Sequence, residues 1–169
     1  KKCAESLSEP IARIFNLTFI SGRLPSQWLA ALIVPVLKKG VPYDISNYRP
    51  ISLTCSLSKV CENLIRNLLL DILSSRSLIP SQQHGFLPGK SVTTNLLETF
   101  DSVTSELANR HAIDIAYFDF SRAFDTVSHP LLIAKLVRLG IPQPLVSWIR
   151  SFLTGRSNQV IIDGALSAP

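Results

Sequence analysis

The segment LAALIVPVL, Leu29 to Leu37, is the longest uncharged apolar run in the chain, and a proline sits inside it. A membrane-crossing helix needs about 20 consecutive apolar residues, so a run of this length does not span a bilayer. Its composition predicts a strand. Pro35 cannot donate to a ladder, which predicts an edge position or a bulge. The turn-rich KKGVPYDISN follows, then RPISLT as a returning strand, so the two runs predict a hairpin with a long tip.

Helical periodicity dominates elsewhere. Ile11, Ile14, Phe15 and Thr18 mark a helix with Pro10 in its first turn and Gly22 past its end. Leu57, Val60, Cys61, Leu64, Leu68 and Ile72 predict a helix from Ser58 to Ser75, and Val92, Leu96, Phe100, Val103 and Leu107 predict another. The glycines and proline of QQHGFLPGKS make the segment between them a loop. Ile113 to Phe118 predicts a strand buried on at least one face, with Asp119 at its carboxyl end. HPLLIAKLVRLG and PQPLVSWIRSFLTG predict two more helices, and SNQVIIDG a closing strand and turn. Helices and strands alternate unevenly, without internal repeats, which makes the fold class α+β.

The 169 residues suit one domain, and 46% apolar against 17% charged residues allow a buried core. The net charge of +5 is compatible with a polyanion-binding surface. Cys3, Cys55 and Cys61 are odd in number and lack CxxC spacing, which argues against a disulfide framework or a zinc site and for a reducing compartment. His84, His111 and His129 are scattered and read as surface or capping residues. Trp28 and Trp148 lie beside apolar residues and read as packing anchors. No segment resembles a secretory signal. The chain contains no Met, so the natural protein is expected to begin upstream of Lys1.

The stretch AYFDFSRAFDTVSH carries the most chemistry. A carboxylate at the end of a buried strand is costly unless a cation or strong donors meet it. Asp119 therefore reads either as a ligand for a divalent cation such as Mg²⁺, which takes a few protein oxygens and completes its shell with substrate phosphates, or as the cap of the following turn. Phe124 alone reads as a core residue.

This stretch, preceded by VPVLKKG, SNYRPISL and GFLPGKS and followed by LLIAKL, GIP, WIRSFLTGR and QVIIDG, resembles the reverse transcriptases of non-LTR (LINE-type) retrotransposons. The resemblance runs from about Leu24 to the chain end and keeps the order of the blocks. It implies a right-hand polymerase, mostly helical with a fingers hairpin and palm strands: fingers over 1–111, including an N-terminal helix, and the first part of the palm over 112–169. The implied activity is that of a nucleotidyltransferase, an RNA-directed DNA polymerase in which a primer 3′-hydroxyl attacks the α-phosphate of a dNTP and pyrophosphate leaves. The implied cofactor is Mg²⁺, two ions, with Asp119 as the catalytic carboxylate bridging both and the Phe120 carbonyl as a further ligand. Phe120 and Phe124 would face the incoming dNTP, Phe124 as an aromatic gate that excludes a 2′-hydroxyl by contact. Lys38, Lys39 and Arg49 would meet the triphosphate. Arg49 is the stronger candidate because a guanidinium holds two phosphate oxygens at once, and for the lysines simple solvation is the alternative. Asp125 reads as structural, accepting bonds from the backbone that leads into the helix near His129.

GFLPGKS imitates a phosphate-binding P-loop but has three residues, not four, between Gly85 and the GK pair, and no good strand before it. Lys90 is a candidate for nucleic-acid phosphate, with a solvated turn lysine as the alternative. Four basic and no acidic residues between Thr126 and Ile162 are a weaker candidate for tracking a duplex backbone. The implied partners are an RNA template, a DNA primer or target, dNTPs and a ribonucleoprotein with the element's own RNA, in the cytoplasm and nucleus and without a membrane. The paired aspartates and the GVPQG-like block of the family's later palm are not present, so the segment is expected to be inactive alone and to expose apolar surface. The alternative is a decayed or repurposed fragment that binds nucleic acid or protein without catalysis.

Overall fold

The computed structural model describes residues 4–168, and Cys3 lies outside them. The order of elements is α1 (Ala4–Ser21), α2 (Ser26–Leu29), β1 (Ala30–Leu37), a 3₁₀ turn (Ile45–Asn47), β2 (Tyr48–Leu53), α3 (Ser56–Ser75), α4 (Val92–Ala108), α5 (His129–Arg138), α6 (Gln143–Leu153), β3 (Ser157–Ile162) and β4 (Ala165–Leu166). Mixed helix and sheet bear out the α+β class. The chain forms two compact units. One contains the chain up to Leu69 and from Val127 onward, the other Leu70–Thr126.

The first unit holds a sheet of order β2-β1-β3-β4. β1 runs antiparallel to β2 and parallel to β3, and β3 turns back into β4. That last turn is Asp163-Gly164, with φ of +49° and +84°, the backbone a two-residue hairpin demands. Pro35 shows why β1 tolerates a proline. The Lys38 N–H donates to the Asn47 carbonyl at 2.8 Å. Counting back by two makes 36/49 a hydrogen-bonded pair, and Pro35 faces Pro50 in a pair that exchanges no ladder bonds. The missing donor of Pro35 points to the other side, where β3 pairs only as far as Ile33. β1 is thus interior in its first half and an edge in its second, where the proline stands.

The helices of this unit bury Trp28, Cys61, Ile65, Ile133, Leu136, Ile141, Leu145, Val146 and Trp148. Burying a large apolar side chain of this kind contributes about 1.5–3 kcal/mol. The end of α5 illustrates the local logic. Gly140 takes φ +70°, its N–H donates to Val137 O, and the Ile141 N–H reaches back to Leu136 O. This closure brings Ile141 over Leu136, and both are buried. Both tryptophans are packing anchors, as expected.

The second unit is different in kind: among its described residues only His84 is buried. Three expectations are corrected. α1 begins at Ala4, so Pro10 lies inside the helix rather than in its first turn. Residues 113–118 form no strand. Tyr117 and Phe118 are 88% and 90% exposed: an extended segment becomes a strand only when a neighbour takes its backbone groups, and among the described residues none pairs with this one. Asp125 caps nothing among the described residues. Ser128 occupies the N-cap of α5, without a side-chain bond.

Candidate active site

The hairpin of β1 and β2 positions the three candidate phosphate ligands. Its tip is held from within: Asp44 Oδ1 accepts from the Ser46 N–H at 2.9 Å, Asn47 Nδ2 donates to Val41 O at 3.0 Å and Tyr48 OH to Pro42 O at 2.8 Å. The bonds from Ser46 hold the Asp44 carboxyl below its ordinary range. Gly40, at φ +84°, lies where a Cβ would come within 2.6 Å of the Asn47 side chain, so the turn closes tightly only around glycine. Arg49 faces Val36 across the ladder, and Lys38 is two residues further along the chain. Lys38, just past β1 and still bonded to Asn47, therefore shares a face with Arg49, whereas Lys39 lies in the bend beyond the ladder. All three cations are exposed, and among the described residues none has a carboxylate partner.

Asp119, Phe120 and Phe124 lie in the second unit, on the segment that remains unpaired. Asp119 is exposed and engages no protein donor among the described residues, so it neither caps the next turn nor sits in a core. Arg122 follows at φ +54°. Its carbonyl accepts from Asp125 N–H at 2.9 Å, Thr126 N–H at 3.1 Å and Thr126 Oγ1 at 3.1 Å. This tight turn carries Phe124, which is 79% exposed and not the core residue its spacing alone allowed.

The loop 82–91 is built around His84, which its sequence context marked as a surface or capping residue. His84 is 5% exposed, with Nδ1 at 2.8 Å from Thr94 Oγ1 and Nε2 at 3.0 Å from Glu98 Oε2. It is neither a surface nor a capping histidine. The available signal was Thr94 and Glu98 four residues apart, on one face of α4. Thr94 also completes a capping box with Ser91 at the start of α4. Lys90 Nζ donates to the Ser81 carbonyl, so the lysine is drawn into its own loop. Phe86, in the same loop, meets Phe124 edge-to-face, with ring centroids 6.0 Å apart and planes at 87°.

The donors available to a cation are few. Among the described residues no three His, Cys, Asp or Glu side chains come together. The Asp119 carboxylate and the Phe120 carbonyl are hard oxygen donors, and Mg²⁺ commonly takes one or two carboxylates and fills its shell with phosphates and water. The pair fits part of a magnesium shell and not a closed cage.

Residues 36–167 match the family model described as Reverse transcriptase (RNA-dependent DNA polymerase). The chain is 36% identical over 94% of its length to "RNA-directed DNA polymerase from mobile element jockey" of Drosophila melanogaster, and 33% identical over 94% to "Probable RNA-directed DNA polymerase from transposon BS" of the same species. It is 27% identical over 86% to "Retrovirus-related Pol polyprotein from type-1 retrotransposable element R2" of Popillia japonica. It spans 17%, 18% and 20% of the lengths of these three relatives. The hairpin cations, the Asp119 segment and the GFLPGKS loop all fall within the matched residues, and the chain belongs to the reverse transcriptase (RNA-dependent DNA polymerase) family.

Proposed function

We propose that this chain supplies the nucleotide-facing part of an RNA-directed DNA polymerase of a non-LTR retrotransposon, a right-hand enzyme with fingers over 1–111 and the palm beginning at 112. The observation that carries this reading is the pair Lys38 and Arg49, two exposed cations on one hairpin face with no carboxylate to answer them among the described residues. A triphosphate would offer both cations charge-assisted hydrogen bonds. Arg49 holds two phosphate oxygens in its fork, and Lys38 adds a point charge. Lys39, in the bend beyond the ladder, is the weaker ligand. Lys90 spends one ammonium hydrogen on the Ser81 carbonyl and keeps two for a nucleic-acid phosphate.

Asp119 and the Phe120 carbonyl would hold Mg²⁺, which, when bound, supplies charge stabilisation to the attacking and leaving oxygens of phosphoryl transfer. The exposure of Asp119 suits this role, because an accessible carboxylate without protein donors keeps its lone pairs for a cation. Phe124 would stand beneath the sugar and exclude a 2′-hydroxyl by contact. The partners on this reading are an RNA template, a DNA primer and dNTPs, with the element's RNA bound as a ribonucleoprotein in the cytoplasm and nucleus. In the complete polymerase, Asp119→Ala should abolish RNA-templated primer extension in Mg²⁺ while the fold, followed by circular dichroism, is kept. Undiminished extension by that variant refutes the assignment.

A further inference from the structure

Phe86 occupies a backbone conformation that its side chain disfavours. Its φ is +65°, in the left-handed region, where a non-glycine Cβ crowds the following carbonyl and a bulky residue is an outlier. Burial does not offset this, because the residue is 77% exposed. Strain of this kind persists only where the surroundings over-determine it, and it gathers at working sites. The surroundings here are specific. Two residues earlier, His84 is buried between Thr94 and Glu98. Gln83 Nε2 donates to the Gly85 carbonyl at 3.0 Å, and Lys90 closes the loop onto Ser81. The ring that this anchored loop holds out meets the edge or face of Phe124, 6.0 Å away at 87°. Phe124 is itself carried by a turn with a second left-handed residue, Arg122.

We infer that Phe86 is a positioning residue for sugar selection, bracing Phe124 so that its ring cannot swing aside. The inference rests on the reading of Phe124 as the gate. A steric gate works only if it is stiff. An exposed phenylalanine moves among its staggered rotamers in picoseconds to nanoseconds, and a gate free to rotate would yield to a 2′-hydroxyl instead of excluding it. The edge-to-face contact with Phe86 favours one ring position over the others, and His84 fixes the loop from which that contact is made. Discrimination against ribonucleotides therefore depends on a residue that touches neither the nucleotide nor the metal.

The test is single-nucleotide incorporation by the complete polymerase, comparing kcat/KM for a dNTP and its matching rNTP. Phe124→Val should raise the ribo-to-deoxy ratio at least about tenfold by opening space beneath the sugar. Phe86→Ala should raise it about threefold to tenfold, the population bias an edge-to-face pair can impose. Phe86→Asn, which tolerates the left-handed backbone without a ring, should match Phe86→Ala, and Phe86→Tyr should restore discrimination. Adding Phe86→Ala to Phe124→Val should change the ratio no further. If Phe124→Val relaxes selection while Phe86→Asn keeps the parent ratio, the brace is refuted and the gate stands. If Phe86→Ala slows both substrates equally, Phe86 only maintains its loop, and the inference is likewise refuted. An unchanged ratio in Phe124→Val refutes the gate, and the brace with it.

Discussion

Thr18 and Trp148, 130 positions apart in the chain, are joined by a buried hydrogen bond in which the indole Nε1–H donates to the threonine hydroxyl oxygen at 3.1 Å. The hydroxyl proton is already spent on the Phe15 carbonyl at 2.7 Å, which leaves its lone pairs for the indole. Trp148 in turn stacks on Phe152, centroids 5.5 Å apart with planes at 9°, and the Arg156 guanidinium lies 4.8 Å over the far ring. One hydroxyl thus ties α1 to the aromatic row that leads from α6 into β3. Thr18→Val keeps the shape and strands the indole N–H, at a cost of about 1–3 kcal/mol. Urea unfolding followed by tryptophan fluorescence should show a lower midpoint with an unchanged slope.

Cys61 predicts an alkaline weakness. Burial pushes its thiol above the ordinary 9.0, partly opposed by the neighbouring Thr18 hydroxyl and reinforced by the charge of Glu62. In the unfolded chain the thiol ionises near its ordinary value. Between that value and the raised native one, the unfolded state binds fewer protons, and stability falls as pH rises. The contribution is complete below pH 9 and is lost above it. Stability measured from pH 8 to 10.5 should decline more steeply in the parent than in Cys61→Ala, whose absolute stability is lower from the lost volume.

Arg49→Lys keeps the charge and removes the fork. With the reading above, the complete polymerase should show KM for dNTP raised about tenfold, the value of a charge-assisted hydrogen bond, with a smaller change in kcat. Steady-state kinetics on a fixed template measure it, and an unchanged KM would show that the guanidinium does not hold the triphosphate.

His84→Ala removes the one buried side chain among the described residues of the second unit. The exchange of amide hydrogens in 82–91 should quicken, because local opening there no longer breaks two side-chain bonds, while peptides from α6 exchange at the parent rate. Hydrogen–deuterium exchange read by mass spectrometry separates the two regions.

The sequence announces elements whose signals are local and is silent on those that depend on distant chain. α3, α4, α5 and α6 appear where apolar residues recur every three or four positions, because a periodic stripe needs only one face to bury. Gly140 and Gly155 follow the ends of α5 and α6, whereas the residues at positive φ just past α3 and α4 are Ser77 and Arg110, which carry no such signal. Residues 113–118 have the composition of a strand but no ladder partner, and pairing is a property of the neighbour as much as of the segment. The hairpin cations were legible as candidates, but the face shared by Lys38 and Arg49 follows from register. His84 was missed because Thr94 and Glu98, one turn apart, mark a polar strip on α4 without saying which residue ten and fourteen positions away fills it. Phe86 was hidden for the same reason, since a positive φ at an aromatic leaves no trace in the letters.

The facing prolines at 35 and 50 reach beyond the tolerance of one strand for an imino acid. A ribbon whose rim lacks amide hydrogens at that point offers a poor template to any stray extended peptide, which would find gaps where it must zip. The gap falls on the arm that bears the cations, and so works against edge-to-edge pairing beside its charged face.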